Sequence, residues 1–255
     1  THIQRVVNTM TDNDPTFNLV ALTDNEGQEE LYDNLKKAAE SWWIDTEQSD
    51  EFARTCTNGE NYGICVEKVI FNPDLEDELG EVETIIVDPF HFGVYPVKMT
   101  DPKRLQQCAA VLHFYPLTVR EVKRRWKDKA KDVKPDQDLI KEMGDARREV
   151  SAGKTGMEMM LVSLASTVKA LLNWDSKADK DQEETVVAEI WCHDYSGKYP
   201  GNIRLVTICN GGKVVLEDKA NPSINPNLPE EEAKKTYRWD KFPFSAANPI
   251  PDTSN

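Results

Sequence analysis

The pattern of apolar and polar positions is most regular between residues 82 and 126, where short apolar runs alternate with polar turns. Val82–Val87 is rich in β-branched residues and is followed by Asp88-Pro89, so it predicts a strand that ends where proline withholds its N–H. After a long polar connection, Ala109–Tyr115 predicts a second strand, which we expect Pro116 to end in the same way. The centre of the chain therefore carries two strands in close succession.

A short amphipathic helix is predicted directly after the second strand. Thr118 has the side chain of a helix N-cap, and Glu121 completes a capping box, in which each side chain bonds to a backbone N–H left free at the helix start. Val119, Val122 and Trp126 recur at spacings of three and four residues, which puts them on one helical face. We therefore expect Trp126 to be buried and to anchor this helix on the sheet.

Helical spacing also dominates the N-terminal part. Ile3–Met10 predicts a short amphipathic helix, and residues 28–45 predict a longer one. A further short helix is predicted from Ser49 to Asn58-Gly59, followed by a strand over Tyr62–Phe71. We interpret the apolar face of the longer helix as a core face, with a contact between subunits as the alternative. That face consists of Leu31, Leu35, Ala38 and Trp42, and Trp43 widens it.

The chain is mostly charged from Lys127 to Gly156, with few apolar residues after Gly144. We therefore expect a mobile segment near residues 130–156, and we expect proteases to cut first between Gly144 and Gly156. Met157–Trp174 is different, because its apolar residues recur at helical spacing and predict a long amphipathic helix.

The last third of the chain has the pattern of an antiparallel meander. Thr185–Tyr195 and Ile203–Cys209 predict strands, and Asn210-Gly211-Gly212 is a tight hairpin signal. We expect two parts, 1–174 with helices and strands and 175–255 with the meander. The predicted fold class is α+β, with antiparallel strands and flanking amphipathic helices.

Composition restricts the possible functions. The 255 residues carry a net charge of −14, from 45 acidic and 31 basic side chains. This excess of acidic residues argues against a surface that binds duplex DNA tightly, because such binding depends on lysine and arginine neutralising phosphates. The five cysteines are odd in number and include no Cys-x-x-Cys, which indicates thiols of a reducing compartment. The sequence has no signal peptide, and its apolar runs are all much shorter than the roughly 18 residues that a membrane span needs. We therefore expect a soluble intracellular protein.

No catalytic, cofactor-binding or metal-binding motif stands out. Ser151–Gly156 reads Ser-Ala-Gly-Lys-Thr-Gly, but Arg148 stands where a phosphate-binding loop needs glycine. Cys192-His193-Asp194 lies in a predicted strand, where consecutive side chains alternate between faces and chelate one ion poorly. We therefore expect no enzyme activity, no cofactor and no metal.

Six short segments, taken in order, resemble the portal (connector) proteins of tailed bacteriophages, especially those of short-tailed phages. In that family an Asp-Pro-aromatic segment follows a strand, and an Asp-rich turn, a strand and a Thr-x-x-Glu-Val/Leu-Lys helix come next. A Val-x-Glu-x-Trp strand and the segment before a long stem helix complete the order. The resemblance covers Glu60–Asn255 in outline and Thr1–Thr11 loosely. The segments are Asp88-Pro89-Phe90, Thr100-Asp101-Pro102, Thr118–Lys123, Val187–Trp191, Lys241–Phe244 and Asn248–Pro251.

This resemblance implies a structural subunit of the virion. Portal proteins form a twelve-subunit ring at one capsid vertex, assembled in the host cytoplasm. The terminase large subunit drives double-stranded DNA through the ring without reading its sequence, and capsid and head-completion proteins also contact the ring. The matched region corresponds to the peripheral wing, with the stem helix and clip beyond Asn255. Because the chain begins at Thr1 without methionine, we expect a fragment that binds duplex DNA weakly and forms no stable ring alone.

Two other readings remain open. One is a hydrolase without a recognisable motif, which predicts a deep pocket with converging polar groups. The other is a soluble adaptor that binds a partner protein through Trp42, Trp43 or Trp126. The candidate anchors, whether in the core or at a contact between subunits, are Trp42, Trp43, Trp126 and Trp191.

Overall fold

The computed structural model describes residues 2–12, 29–72, 80–96, 102–143, 184–199, 202–222 and 241–248. These residues form helices and two sheets in which every strand pair is antiparallel, which confirms the predicted α+β class. The helix predicted at Met157–Trp174 and the mobile segment predicted after residue 143 lie outside the described residues.

Three helices form a layer on one side of the molecule: α1 (His2–Met10), α2 (Glu29–Asp45) and α3 (Gln48–Tyr62). Both α1 and α2 contact α3, and α3 packs on the first sheet. The prediction that the third helix ends at Asn58-Gly59 is wrong, because Gly59 is buried inside α3. The helix ends at Gly63, whose φ of 76° is a left-handed conformation that favours glycine.

The first sheet has three strands in the order β2–β1–β8, with β1 at Cys65–Asn72, β2 at Glu81–Val87 and β8 at Phe244–Ala247. Because β1 pairs with both neighbours, a strand from residues 244–247 completes a sheet that begins near residue 65. Val66 and Val87 are partners in register and are each 1% exposed, so this end of the sheet is buried on one face.

The second sheet has five strands in the order β3–β4–β5–β6–β7. Its central pair, β4 and β5, joins residues before and after 174, as β1 and β8 do in the first sheet. The two predicted parts, 1–174 and 175–255, are therefore interleaved in both sheets. The strands are β3 (Phe92–Tyr95), β4 (Ala110–Thr118), β5 (Glu184–His193), β6 (Ile203–Cys209) and β7 (Val214–Ala220).

Strand β4 passes through Pro116, whereas the sequence predicts that Pro116 ends it. Pro116 is paired in register with Val186 of β5. On its other side β4 is paired with β3 only from Ala110 to His113. A missing N–H is tolerated where a strand has a neighbour on one side only, and this explains the longer strand.

The helix predicted after the second strand is α4, Val119–Trp126. The Thr118 hydroxyl accepts a hydrogen bond from the backbone N–H of Glu121 at 3.1 Å, so the predicted N-cap is confirmed. The carboxylate of Glu121 pairs with Arg124 and Arg125 at 2.8 and 2.7 Å. Only the hydroxyl half of the capping box is therefore seen in the described part of the chain.

Helical segments cover both faces of the five-stranded sheet. Val122 of α4 belongs to a buried cluster with Val187, and Leu139 of helical residues 137–143 belongs to another with Val186. Val186 and Val187 are neighbours in β5 and face opposite sides, so the two clusters lie on opposite faces.

The start of the segment predicted to be mobile packs against this sheet. Ala130, Val133, Leu139 and Met143 are all buried. The prediction of a mobile segment is therefore wrong for residues 130–143, because these four apolar side chains fix this part of the chain to the sheet. The remaining residues of that prediction, 144–156, lie outside the described chain.

Candidate functional site

A buried charged cluster joins the two sheets and is centred on the carboxylate of Glu189. Lys68 Nζ lies 2.6 Å from Glu189 Oε2, and Trp191 Nε1 donates to the same oxygen at 3.0 Å. The hydroxyl of Tyr115 donates to Oε1 at 2.9 Å. The side chains of Lys68 and Glu189 are only 6% and 12% exposed, so this ion pair is largely removed from water. We call these four residues the seam cluster.

Strand alternation explains why the seam cluster forms. Lys68 is two residues from the buried Val66 on β1, so it points to the same face, toward the second sheet. On that sheet, Glu189 lies in register with His113 of β4, and Trp191 is two residues further along β5. The Lys68 ammonium lies 5.6 Å from the Trp191 ring centroid, which adds a cation–π contact.

The protonation states in the seam cluster are fixed by burial and by these partners. Burial acts to raise the pKa of Glu189, but the charge of Lys68, the influence of His113 and the hydrogen bonds from Lys68 and Trp191 together outweigh it, so this pKa lies below its ordinary value. Burial and the adjacent carboxylate raise the pKa of Tyr115 strongly. Burial, aided by the charge of Lys68, lowers the pKa of His113 to about 4, so its imidazole is neutral at pH 7.

The chemistry open to the seam cluster is limited by its pairing. Glu189 accepts three hydrogen bonds, and Lys68 and Tyr115 donate two of them. A carboxylate held ionised in this way is a poor base, and a phenol with a raised pKa is a poor nucleophile. The cluster instead acts as a polar clamp, because it ties β1 of one sheet to β4 and β5 of the other.

Sequence reasoning did not single out Lys68 or Tyr115, and it included Glu189 only as the glutamate of the portal-like segment Val187–Trp191. Glu189 gave a signal, because it is the lone charge of the apolar run Val186–Trp191, where a charge is rare unless it is paired. Lys68 directly follows another charged residue and gave no such signal. Their pairing could not be predicted, because 121 residues separate them in the chain.

A second buried carboxylate, Asp136, lacks such pairing. It is fully buried, and neither of its carboxylate oxygens has a hydrogen-bond partner of good geometry within the described residues. Burial raises its pKa to about 6, although the nearby N–H of Leu139 acts in the opposite direction. Burial, with a smaller effect of Asp136, also raises the pKa of the Cys209 thiol to about 12.

The four candidate tryptophans lie in three different places. Trp191 is 1% exposed and belongs to the core between the sheets. The prediction that Trp126 is buried is wrong, because this last residue of α4 is half-buried and packs only at the edge of the cluster beneath the helix. Trp42 and Trp43 are half-buried neighbours in α2, with ring centroids 6.5 Å apart. Their indole N–H groups donate to the Val82 carbonyl and to the Ser49 hydroxyl, each at 3.0 Å.

The interpretation of the α2 apolar face as a core face is wrong for most of its length. Leu31 is 52% exposed and Leu35 is 49% exposed, and Ala38 is also exposed. The helix is held near its C-terminal end, where Trp42 donates to the Val82 carbonyl and Trp43 packs on Phe52 of α3 with ring centroids 6.4 Å apart. Helical spacing predicted the stripe correctly, but it could not tell what would cover the stripe.

A basic surface surrounds α4. The segment from Arg120 to Lys134 holds eight basic and three acidic side chains, in a chain that has 31 basic residues in all. Arg124 and Arg125 both bind Glu121, and hydrogen bonds from these arginines lower the pKa of that carboxylate to about 2. Arg120, Lys123, Lys127 and Lys129 are exposed and have no ion-pair partner among the described residues.

Comparison of the chain with protein-family models and with curated protein sequences gives no significant match. Within the described ranges, no helix is both long and apolar enough to cross a membrane. The same ranges contain no group of three or more His, Cys, Asp or Glu side chains arranged to hold a metal ion.

Proposed function

We propose that this chain is the wing region of a bacteriophage portal subunit, a structural component of the ring through which DNA enters and leaves the capsid. In this proposal the protein acts at a capsid vertex of the virion and is not an enzyme. Its partners are further copies of itself, the terminase large subunit, the capsid and head-completion proteins, and double-stranded DNA that passes without being read.

The observation that carries the proposal is the order of the portal-like segments, because segments distant in sequence meet around one core. Val87 precedes the Asp-Pro-aromatic segment, Trp191 ends the Val-x-Glu-x-Trp strand, and Phe242 and Phe244 belong to the segment near the end of the chain. All four residues lie in one buried cluster between the sheets. Segments that share a core have a physical reason to occur together, which supports treating them as one pattern.

Local geometry at two of these segments gives further support. The Asp88 side chain accepts a hydrogen bond from the Phe90 N–H at 3.0 Å, so the Asp-Pro-aromatic segment is a capped turn after a strand. Thr118 caps α4 in the Thr-x-x-Glu segment. In both segments the residues that define the motif have a definite structural task, as expected for a framework protein.

The adaptor reading is supported by a separate observation, the exposed apolar stripe on α2. The two readings differ in the partner that covers this stripe. An adaptor would bind a different protein there, whereas a portal subunit would bind another copy of itself. Both readings predict that this surface is covered in the assembled state.

The test is the position of the protein in particles. Antibodies raised against the chain should label a single vertex of tailed particles in immunogold electron microscopy of cells that produce it. Electron microscopy of the intact protein should also show rings. Label spread over the capsid, or on no particle at all, would overturn the proposal.

A further inference from the structure

The exposed face of α2 is unusual for a helix of this length. We define the α2 stripe as Leu31, Leu35, Ala38 and Trp42; the first three are exposed, and Trp42 is half-buried. An isolated helix of 17 residues is marginally stable in water and depends on packing of its apolar face. The stripe therefore marks a surface that a partner covers.

The charge around the stripe indicates what kind of partner fits. The helical hairpin of α2 and α3, residues 29–62, holds nine acidic and three basic side chains. Glu30 and Asp45 flank the α2 stripe, whereas Asp33 and Glu40 project from the opposite side of the helix. A partner surface that is basic and offers the apolar stems of long side chains matches this region.

The same chain carries such a surface at α4. Arg120 and Lys123 are exposed and have no ion-pair partner among the described residues, so their charge is available to a partner. The α2–α3 hairpin packs on the three-stranded sheet, and α4 packs on the five-stranded sheet, so the two surfaces belong to different layers. An acidic surface and a basic surface on separate layers suit head-to-tail contact between copies.

We propose that the α2 stripe and its acidic flanks dock on the basic α4 surface of a second copy of this chain. The contact is heterologous, so each copy uses one surface toward each neighbour, and repetition gives a ring where the rotation closes. Pairing of α2 with α2 fits less well, because it brings two acidic surfaces together. The choice of a second copy as partner rests on the proposed function, and it names the surfaces that would join neighbouring subunits.

Charge reversal on the two surfaces tests the pairing. The α2 variant is Glu30→Lys/Asp45→Lys, and the α4 variant is Arg120→Glu/Lys123→Glu. Each variant alone should self-associate about tenfold more weakly than the wild-type chain in sedimentation velocity, because like charges then meet. An equal mixture of the two should regain association, since each reversed surface finds an opposite charge on the other variant.

A matched control separates the face of α2 from its overall charge. The variant Asp33→Lys/Glu40→Lys has the same change in charge on the same helix, but on the side away from the stripe. It should associate as the wild type does. Leu31→Ser/Leu35→Ser changes only exposed positions, so it should fold normally by circular dichroism and still lose association.

The outcomes distinguish this inference from the proposed function. A wild-type chain that stays monomeric at every concentration, reversed variants that associate normally, or a mixture that does not regain association would each overturn the pairing. If immunogold still labels a single vertex, the portal proposal survives and only these surfaces are wrong. If the reversals act as expected but no vertex is labelled, the pairing survives and the portal proposal fails.

Discussion

The seam cluster and the α2 and α4 surfaces use charge in opposite ways. In the seam, Lys68 and Glu189 are buried and satisfied within the chain, with three hydrogen bonds to one carboxylate. On the surface, Arg120 and Lys123 are exposed and have no ion-pair partner in the described chain. The difference indicates that interior charge holds the two sheets together, whereas the charge of Arg120 and Lys123 is exposed to solvent.

The largest effect is expected when the seam pair is broken. Lys68→Met leaves the Glu189 carboxylate buried without its cation, which should cost about 3–5 kcal/mol in the free energy of unfolding. The double variant Lys68→Met/Glu189→Gln should cost clearly less than Lys68→Met, because Trp191 can still donate to the glutamine oxygen while the Tyr115 hydroxyl accepts from the glutamine NH2 group. Urea unfolding of both variants measures this. Equal losses in the single and double variants would show that the pair is not coupled.

A smaller effect of opposite sign is expected at Asp136, the buried carboxylate without a good partner. Its pKa is about 6 in the folded chain and 3.8 ordinarily, so the folded state binds its proton more tightly. The contribution of this group to stability is therefore fully present below pH 4 and is lost as the pH rises through 6. Asp136→Asn should stabilise the protein by about 2 kcal/mol at pH 7 and have little effect at pH 4.

Measurement of unfolding free energy against pH for Asp136→Asn and wild type checks this prediction. The two curves should converge as the pH falls. Curves that stay parallel from pH 4 to pH 7 would mean that Asp136 does not titrate as described.

Trp126 provides a comparison with the fully buried Trp191. Trp126, the last residue of α4, is half-buried. Trp126→Ala should therefore lower the free energy of unfolding by about 2 kcal/mol, which is less than the roughly 3–5 kcal/mol expected for Trp191→Ala. Thermal unfolding of both variants tests the ranking. A larger loss at Trp126 would indicate that α4 anchors the fold more firmly than its exposure suggests.

The smallest effect on stability is expected at Glu121, whose ion pairs with Arg124 and Arg125 are at the surface. Exposed pairs contribute little to folding, so Glu121→Gln should leave the melting temperature almost unchanged. It frees two arginines, so self-association should become stronger at low salt. Weaker association of Glu121→Gln would count against the basic surface as a docking site.

Features set by local sequence were predicted well. The strand near Val82–Val87, the cap at Thr118 and the strand Ile203–Cys209 all depend on neighbouring residues, and the structure has each of them. The errors come from tertiary context. Gly59 signals a helix end but is buried inside α3, and the helix continues to Gly63.

The candidate site was not predictable for the same reason. Helical spacing identified the α2 stripe, but the spacing does not say whether another part of the chain covers it. The partnership of Lys68 with Glu189 requires the two sheets to be stacked, and strand alternation gives no information on how sheets stack. Pattern therefore predicts elements and faces, and packing decides which charges are paired.

The salt dependence of stability and of association tests the central contrast most directly. Both are measured on the wild-type chain and on Lys68→Met, at low and at high sodium chloride. Buried pairs are screened little and exposed pairs strongly. We predict that the difference in unfolding free energy between the two chains stays constant, whereas wild-type self-association weakens as salt rises. A difference that shrinks with salt, or an association that salt does not weaken, would contradict the division between interior and surface charge.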